Sequence, residues 1–139
     1  MNMLVNGHPV KLVLHPILVH FPIAFYFLEF IILAACVLRR KPEYEFHART
    51  VFWLGYGLML LAMGAGLFDA GGFDGVRGAV RRHAMAALGV FAIYTLRAVF
   101  YRLTPKPSEV MVRIYLAGAL LGYAAVILTG FLGGLLVYS

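Results

Sequence analysis

The fold of this chain is set by the stretch His15-Pro16-Ile17-Leu18-Val19-His20-Phe21-Pro22, which opens an apolar run that continues to Leu38. Between residues 13 and 38 the only acidic or basic side chain, histidines aside, is Glu29. A helix needs about 20 apolar residues to cross the hydrocarbon core of a bilayer, and this run is longer than that. The stretch therefore predicts a transmembrane helix with two histidines and two prolines at its entrance.

The two prolines are expected to shape the backbone around the two histidines. Pro16 suits the first turn of a helix, where its missing N–H has no partner, so His15 is predicted to be the N-cap. Pro22 deletes the hydrogen bond to the carbonyl of Leu18 and predicts a bend just past His20. In a regular helix His15 and His20 lie about 140° apart, and a flexible N-cap is expected to relax that angle.

Composition indicates a small integral membrane protein. The 139 residues are 63% hydrophobic and only 13% charged, against about 25% charged in soluble domains. One domain over residues 1–139 is predicted, with spans at about 13–38, 50–69, 83–101 and 113–138. Short connections make it an all-α, up-down-up-down four-helix bundle. The net charge of +6 comes from turns between apolar runs, which favours a lipid bilayer as partner and no nucleic acid.

The basic residues also predict the orientation of the bundle. Of the 12 Lys and Arg residues, eight fall toward the face between the first and second spans, and four fall toward the other. By the positive-inside rule the first face is cytoplasmic and both termini lie outside.

This topology gathers a histidine cluster near the outer face. Its members are His15, His20, Asp69, His83 and Tyr138. Two histidines from different helices can be the axial ligands of one b-type haem, which needs no cysteine. His83 with His20 is the preferred pair, with His15 as the other candidate partner. Arg81 or Arg82 would meet the propionates, and small residues would leave room for the porphyrin: Gly64, Gly66, Ala84, Ala86, Ala87 and Gly89.

Three other interpretations of the cluster stay open. His15, His20, His83 and Asp69 could hold a single zinc, copper or iron ion. Histidine and aspartate could instead relay protons. Interfacial histidines could also bind no cofactor and only satisfy backbone carbonyls. No nucleophile with a base, no phosphate loop and no paired carboxylates are visible, so the chain is not expected to be an enzyme.

An ion pair is predicted deeper in the bundle. Glu29 lies 14 residues after His15, and Arg97 lies 14 residues after His83. Both are thus about 21 Å from the same face. Lone charges at such depth are costly and usually pair.

The last span carries small residues four apart: Gly118 with Gly122, and Gly130 with Gly134. This spacing lets helices approach closely, so the span is expected to pack against neighbouring helices or a second subunit.

The chain also carries a set of spaced motifs that resembles a known family. They are His15-Pro16-x-x-Val19-His20-Phe21-Pro22-Ile23-Ala24, Gly66-x-x-Asp69, His83 and Gly130-x-x-Gly133-Gly134-x-x-Val137-Tyr138. In this order they resemble the bacterial membrane family called domain of unknown function 2231, over nearly the whole chain. The resemblance implies a four-span protein of the bacterial inner membrane. Some resembling chains carry a Rieske-type or c-type cytochrome domain, which implies electron-transfer surroundings and redox or other membrane subunits as partners.

The sequence departs from that family in two places. Members often have an acidic residue where Leu135 stands, and they continue past the tyrosine into an Arg-His-Gly segment, whereas this sequence ends at Ser139. If that histidine is a ligand in the family, either a site made only from His15, His20, Asp69 and His83 must suffice here, or the chain is a structural subunit that has lost the site. The resulting hypothesis is a non-catalytic membrane redox or assembly subunit with one haem; the alternative is a cofactor-free accessory subunit that packs through its fourth helix.

Overall fold

Four long helical segments form an all-α membrane bundle, as predicted. A computed structural model describes residues 2–5, 8–11 and 14–138, with side chains from residue 14 to residue 136. Its helices are α1 (His15–Leu18), α2 (His20–Leu38), α3 (Tyr44–Asp69), α4 (Gly78–Leu103) and α5 (Glu109–Tyr138). Within these residues α1 and α2 form one apolar segment, and with α3, α4 and α5 they make four that are long enough to cross a membrane.

The first segment is interrupted at Val19, which separates α1 from α2. The interruption therefore lies one residue before His20 and not just past it. Its cause is still Pro22, which has no N–H to donate to the carbonyl of Leu18. His15 is the first residue of α1 and Leu14 is the N-cap, so the prediction that His15 caps the helix is wrong.

The helices α3, α4 and α5 begin earlier than the spans that the sequence predicts for them. They start at Tyr44, Gly78 and Glu109 because a first turn that contains a charged residue extends each helix beyond its uninterrupted apolar run. Apolar runs mark only the hydrocarbon-embedded portion of a helix, so they underestimate its length. At the start of α5 a side chain caps the helix: the Met111 N–H donates to Ser108 Oγ at 3.3 Å.

The interior of the bundle is aromatic, and its exterior is aliphatic. α2 packs closely against α3 and α5, and α4 packs against α5. The backbones of α3 and α4 approach less closely, since bulky rings lie between them. The largest fully buried side chains include Tyr26, Phe52, Tyr94 and Tyr101. Large apolar side chains such as Leu61 and Leu121 face outward, as expected for a surface that lipid covers.

The connections are short. Between α3 and α4 the chain turns through Gly71 and Gly72, whose φ angles of 81° and 85° favour glycine. A short 3-10 helix, Phe73–Gly75, completes this loop. Ahead of the bundle, β1 (Asn2–Val5) and β2 (His8–Lys11) form an antiparallel pair. Among the described residues the loop and this pair are the main departures from long helix.

Candidate functional site

His15 and His83 meet at one end of the bundle. Their ring centroids lie 5.7 Å apart, and the ring planes are inclined by 74°. His15 begins the first segment and His83 lies near the start of α4, so two spans that are distant in sequence supply the pair. Both side chains are partly buried. This is the convergence of imidazoles that the predicted topology requires.

Each of the two rings is anchored to a backbone carbonyl of another helix. His15 Nδ1 lies 2.7 Å from the carbonyl oxygen of Ala62 in α3. His83 Nδ1 lies 3.1 Å from the carbonyl oxygen of Thr129 in α5. A carbonyl oxygen only accepts, so Nδ1 must donate in both bonds. In the neutral rings the free lone pair is therefore on Nε2, as in most histidines that bind metals.

Two glycines make room for the rings. A Cβ atom on Gly66 would lie 2.8 Å from His15 Nδ1, and one on Gly133 would lie 3.0 Å from His83 Cε1. Any side chain at these positions would displace an imidazole. Sequence reasoning did not single out Gly133 as a site residue. In the sequence it stands out only through its place in the Gly-x-x-Gly-Gly motif of α5. The other two glycines of that motif, Gly130 and Gly134, were assigned to helix packing.

Asp69 belongs to the site, but its carboxylate accepts a hydrogen bond from a backbone N–H and not from an imidazole ring. The N–H of His15 donates to Asp69 Oδ2 at 2.8 Å. The last residue of α3 thus satisfies the first N–H of α1 and places a carboxylate at the positive end of that helix. This bond also explains why His15 lies inside the helix, since its N–H is satisfied from another span.

His20, the preferred partner of His83 from sequence, is exposed. No hydrogen bond or ring contact of the described side chains includes it. Because His15 is itself helical, an angular separation of about 140° carries His20 to the outside when His15 faces inward. The preference for His20 is therefore corrected to His15. The side chain of Tyr138 lies outside the described residues.

The remaining predicted residues of this end are at the surface. Arg81 and Arg82 are both exposed. Arg82 borders a cavity of about 210 Å³ with Ala79, Leu132, Leu135 and Leu136. Among the residues that the structure describes, no group of three or more His, Cys, Asp or Glu side chains could hold a metal ion.

A second cluster lies deeper, around Glu29 and Arg97. Arg97 donates to both carboxylate oxygens of Glu29, at 3.1 and 2.5 Å, which is the pairing that equal depth predicts. The Tyr101 hydroxyl donates to the same carboxylate at 2.8 Å. Glu29 is fully buried, and Arg97 is 8% exposed. Its guanidinium also lies over the Phe52 and Tyr94 rings, at 5.0 and 5.1 Å.

The four glycines of α5 that were predicted to mediate helix packing divide into two pairs. A Cβ on Gly122 would meet Tyr94 Cζ at 2.9 Å, and one on Gly118 would meet Arg97 Nε at 3.4 Å. These two glycines receive side chains of α4, as close packing predicts. A Cβ on Gly130 or Gly134 would meet nothing within 4 Å. The second pair therefore does not pack against another described part of the chain.

Together the apolar surface, the four spans and the paired internal charges define a multi-pass membrane protein. The chain belongs to the family described as predicted membrane protein DUF2231, whose model matches residues 8–139. The family resemblance drawn from the motifs is thus confirmed. No curated protein and no solved structure matches the chain.

Proposed function

We propose that this protein is a membrane redox subunit that holds one b-type haem between His15 and His83. The observation that carries the proposal is the pair itself. Two imidazoles from different spans lie 5.7 Å apart at their centroids, and each donates Nδ1–H to a backbone carbonyl. This arrangement fixes the tautomer and leaves both Nε2 atoms available as ligands.

The number of donors favours haem over a bare metal ion. Protein sites for zinc use three or four protein ligands, whereas the described residues of this site offer only two imidazoles in contact. A porphyrin would supply four nitrogens of its own, so two histidines would be enough to complete the coordination of its iron. Two nitrogens are therefore enough for haem and too few for a closed ion site.

The spacing of the rings also fits ligands that share one metal. With a metal–nitrogen distance of about 2.1 Å and a ring radius of about 1.1 Å, two collinear imidazole ligands have centroids about 6.4 Å apart. The observed 5.7 Å is shorter than this value, so the two rings would move apart to share one iron. When bound, the haem would supply a one-electron redox centre.

Other residues at the histidine end of the bundle would also suit a haem. Arg82 precedes His83 and borders a cavity, where its guanidinium can pair with a propionate. Asp69 and the two carbonyls hold the first turn of α1 and the imidazoles in place without using Nε2.

The visible spectrum tests this proposal. Protein purified with haem supplied during expression should show a sharp α band on reduction, and His15→Ala and His83→Ala should each abolish it. His20→Ala and His47→Ala are matched controls because both side chains are exposed, and both should keep the band. A colourless yet folded wild-type protein, or a band lost in His20→Ala and kept in His15→Ala, would contradict the proposal.

We also propose the cellular setting. The chain would act without catalysis of its own beside redox or other membrane subunits, or with further copies of itself. It would lie in the bacterial inner membrane with both termini outside. The eight-to-four distribution of Lys and Arg supports this orientation. Labelling of single cysteines placed at Arg40 and Asp74, in a Cys36→Ala background, by an impermeant maleimide should modify the second from outside and spare the first.

A cofactor-free accessory role is the second candidate, and one observation favours it. The same histidine bonds link α1 to α3 and α4 to α5, so they could serve only to hold the spans together. In that case His15→Ala and His83→Ala would lower stability in a protein that never binds haem. Haem titration of the purified apoprotein, followed by its spectrum, separates the two roles.

A further inference from the structure

The end of the bundle where α4 finishes contains an open cavity of about 420 Å³. Its lining residues are Arg49, Trp53, Tyr101, Arg102 and Pro105. Arg49 and Trp53 come from the start of α3, and Tyr101 and Arg102 come from the last turn of α4. The cavity is therefore remote along α4 from His83 and independent of the haem proposal.

One wall of the cavity is held rigidly by Arg49. This guanidinium donates to Glu45 Oε1 at 3.0 and 2.6 Å. It also donates to the carbonyl oxygens of Tyr101, at 2.5 Å, and Thr104, at 2.9 Å. The bonds satisfy carbonyls at the C-terminus of α4 that have no helical partner. Because Glu45 balances its charge, Arg49 contributes shape and donors more than net charge.

The positive charge of the cavity comes from Arg102. Its guanidinium carbon lies 4.9 Å from the centroid of the Trp53 ring, a cation–π contact that holds the charge beside the ring. Arg102 is exposed. Within the part of the chain that the structure describes, the ion pairs are those of Lys41, Arg49 and Arg97, so Arg102 has no acidic partner there.

The depth of the cavity indicates what it meets. α4 has 26 residues and is therefore about 39 Å long, whereas the hydrocarbon core is about 30 Å thick. Arg102 is the residue before the last of α4, which places it among lipid headgroups. Tryptophan is also typical of this level of a membrane protein.

We propose that this cavity binds the phosphate group of an anionic phospholipid. A planar guanidinium can give two parallel N–H bonds to phosphate oxygens, and basic pockets at this depth suit anionic headgroups. A zwitterionic headgroup brings its own ammonium and gains less from one unpaired arginine. Free phosphate shares the recognition chemistry, but the position at the end of a span favours the lipid.

Trp53 is the only tryptophan of the chain and reports directly on the cavity. The full chain is reconstituted in mixed vesicles of phosphatidylcholine and phosphatidylglycerol, with brominated acyl chains on one lipid or the other. Bromine quenches Trp53 when the lipid that carries it occupies the site. We expect phosphatidylglycerol to be preferred by about fivefold, the effect of roughly one basic residue near a membrane surface.

Arg102→Gln should abolish this preference, so that the two lipids bind with a ratio of about one. Arg113→Gln is the matched control, because Arg113 is also exposed and does not line the cavity; it should keep the wild-type preference. Both exposed substitutions should leave the circular dichroism of the protein unchanged. An Arg102→Gln protein that keeps the preference, or a wild-type protein without one, would overturn the proposal.

Inorganic phosphate provides the last arm. In neutral detergent micelles without anionic lipid, it should leave the Trp53 emission unchanged. A saturable change that Arg102→Gln removes would assign the cavity to free phosphate compounds and overturn the lipid assignment.

Discussion

Replacing Arg97 by leucine isolates the energetic role of the internal ion pair. In the wild-type protein the carboxylate of Glu29 receives two N–H bonds from Arg97 and one O–H bond from Tyr101. Arg97→Leu leaves only the tyrosine bond to a carboxylate that is fully buried. Removing one partner of a buried ion pair costs about 3–5 kcal/mol, because the other charge loses its compensation. We expect the variant to lose that much of its free energy of unfolding.

The double variant Glu29→Leu/Arg97→Leu tests the cause of that loss. It removes both charges, so its destabilisation should be smaller than the sum of the two single effects by at least about 2 kcal/mol. Only the hydroxyl of Tyr101 and the faces of the Phe52 and Tyr94 rings then lose a partner.

The four proteins to compare are the wild type, Glu29→Leu, Arg97→Leu and the double variant. Titration of each with sodium dodecyl sulfate in mixed micelles, followed by circular dichroism, measures the differences in the free energy of unfolding. Arg113→Leu is the matched control because its side chain is exposed, and it should change stability by less than about 0.5 kcal/mol. Single effects that add up within about 0.5 kcal/mol in the double variant would refute the pairing as a source of stability.

Three further predictions follow from close contacts. Gly122→Ala should destabilise the protein by about 1–3 kcal/mol in the same titration, because its Cβ would lie 2.9 Å from a buried tyrosine ring. Gly134→Ala, with nothing within 4 Å, should be neutral or slightly stabilising. Asp69→Ala removes the acceptor for the first N–H of α1 and should cost about 0.5–2 kcal/mol, with faster amide exchange confined to the first turn. Gly133→Ala should move the ring of His83 and shift its imidazole resonances, whereas Gly130→Ala should leave them unchanged.

The overall architecture could be predicted because it depends on quantities that a sequence displays directly. Apolar length gave four spans, and counting residues from His15 and His83 put Glu29 and Arg97 at one depth. The pair forms because α2 and α4 run in the same direction in an up-down-up-down bundle. Depth is a one-dimensional property, and residue number converts to it at a constant rise per residue.

The rotation of each helix about its own axis was harder to predict than the depth of its residues. The choice between His15 and His20 depends on which face of the first span turns inward, and a proline in that span makes the phase uncertain. The same limit applies to the glycines of α5, since spacing of four residues identifies a stripe but not the side chains that fill it. Gly133 faces His83 and Gly130 faces no described residue, although both stand in one motif.

The two ends of the bundle have different chemistry, and this separates the proposals from one another. The histidine pair depends on Ala62, Gly66, Thr129 and Gly133 near one end. The lipid cavity depends on Arg49 and Arg102 at the other end of α4, which is about 30 Å away along that helix. Sites so far apart without shared partners respond independently to substitution. Arg102→Gln should therefore leave any haem spectrum unchanged, and His83→Ala should leave the lipid preference of Trp53 unchanged. A substitution that altered both readouts would mean that it had disturbed the bundle as a whole, so each variant serves as the structural control for the other.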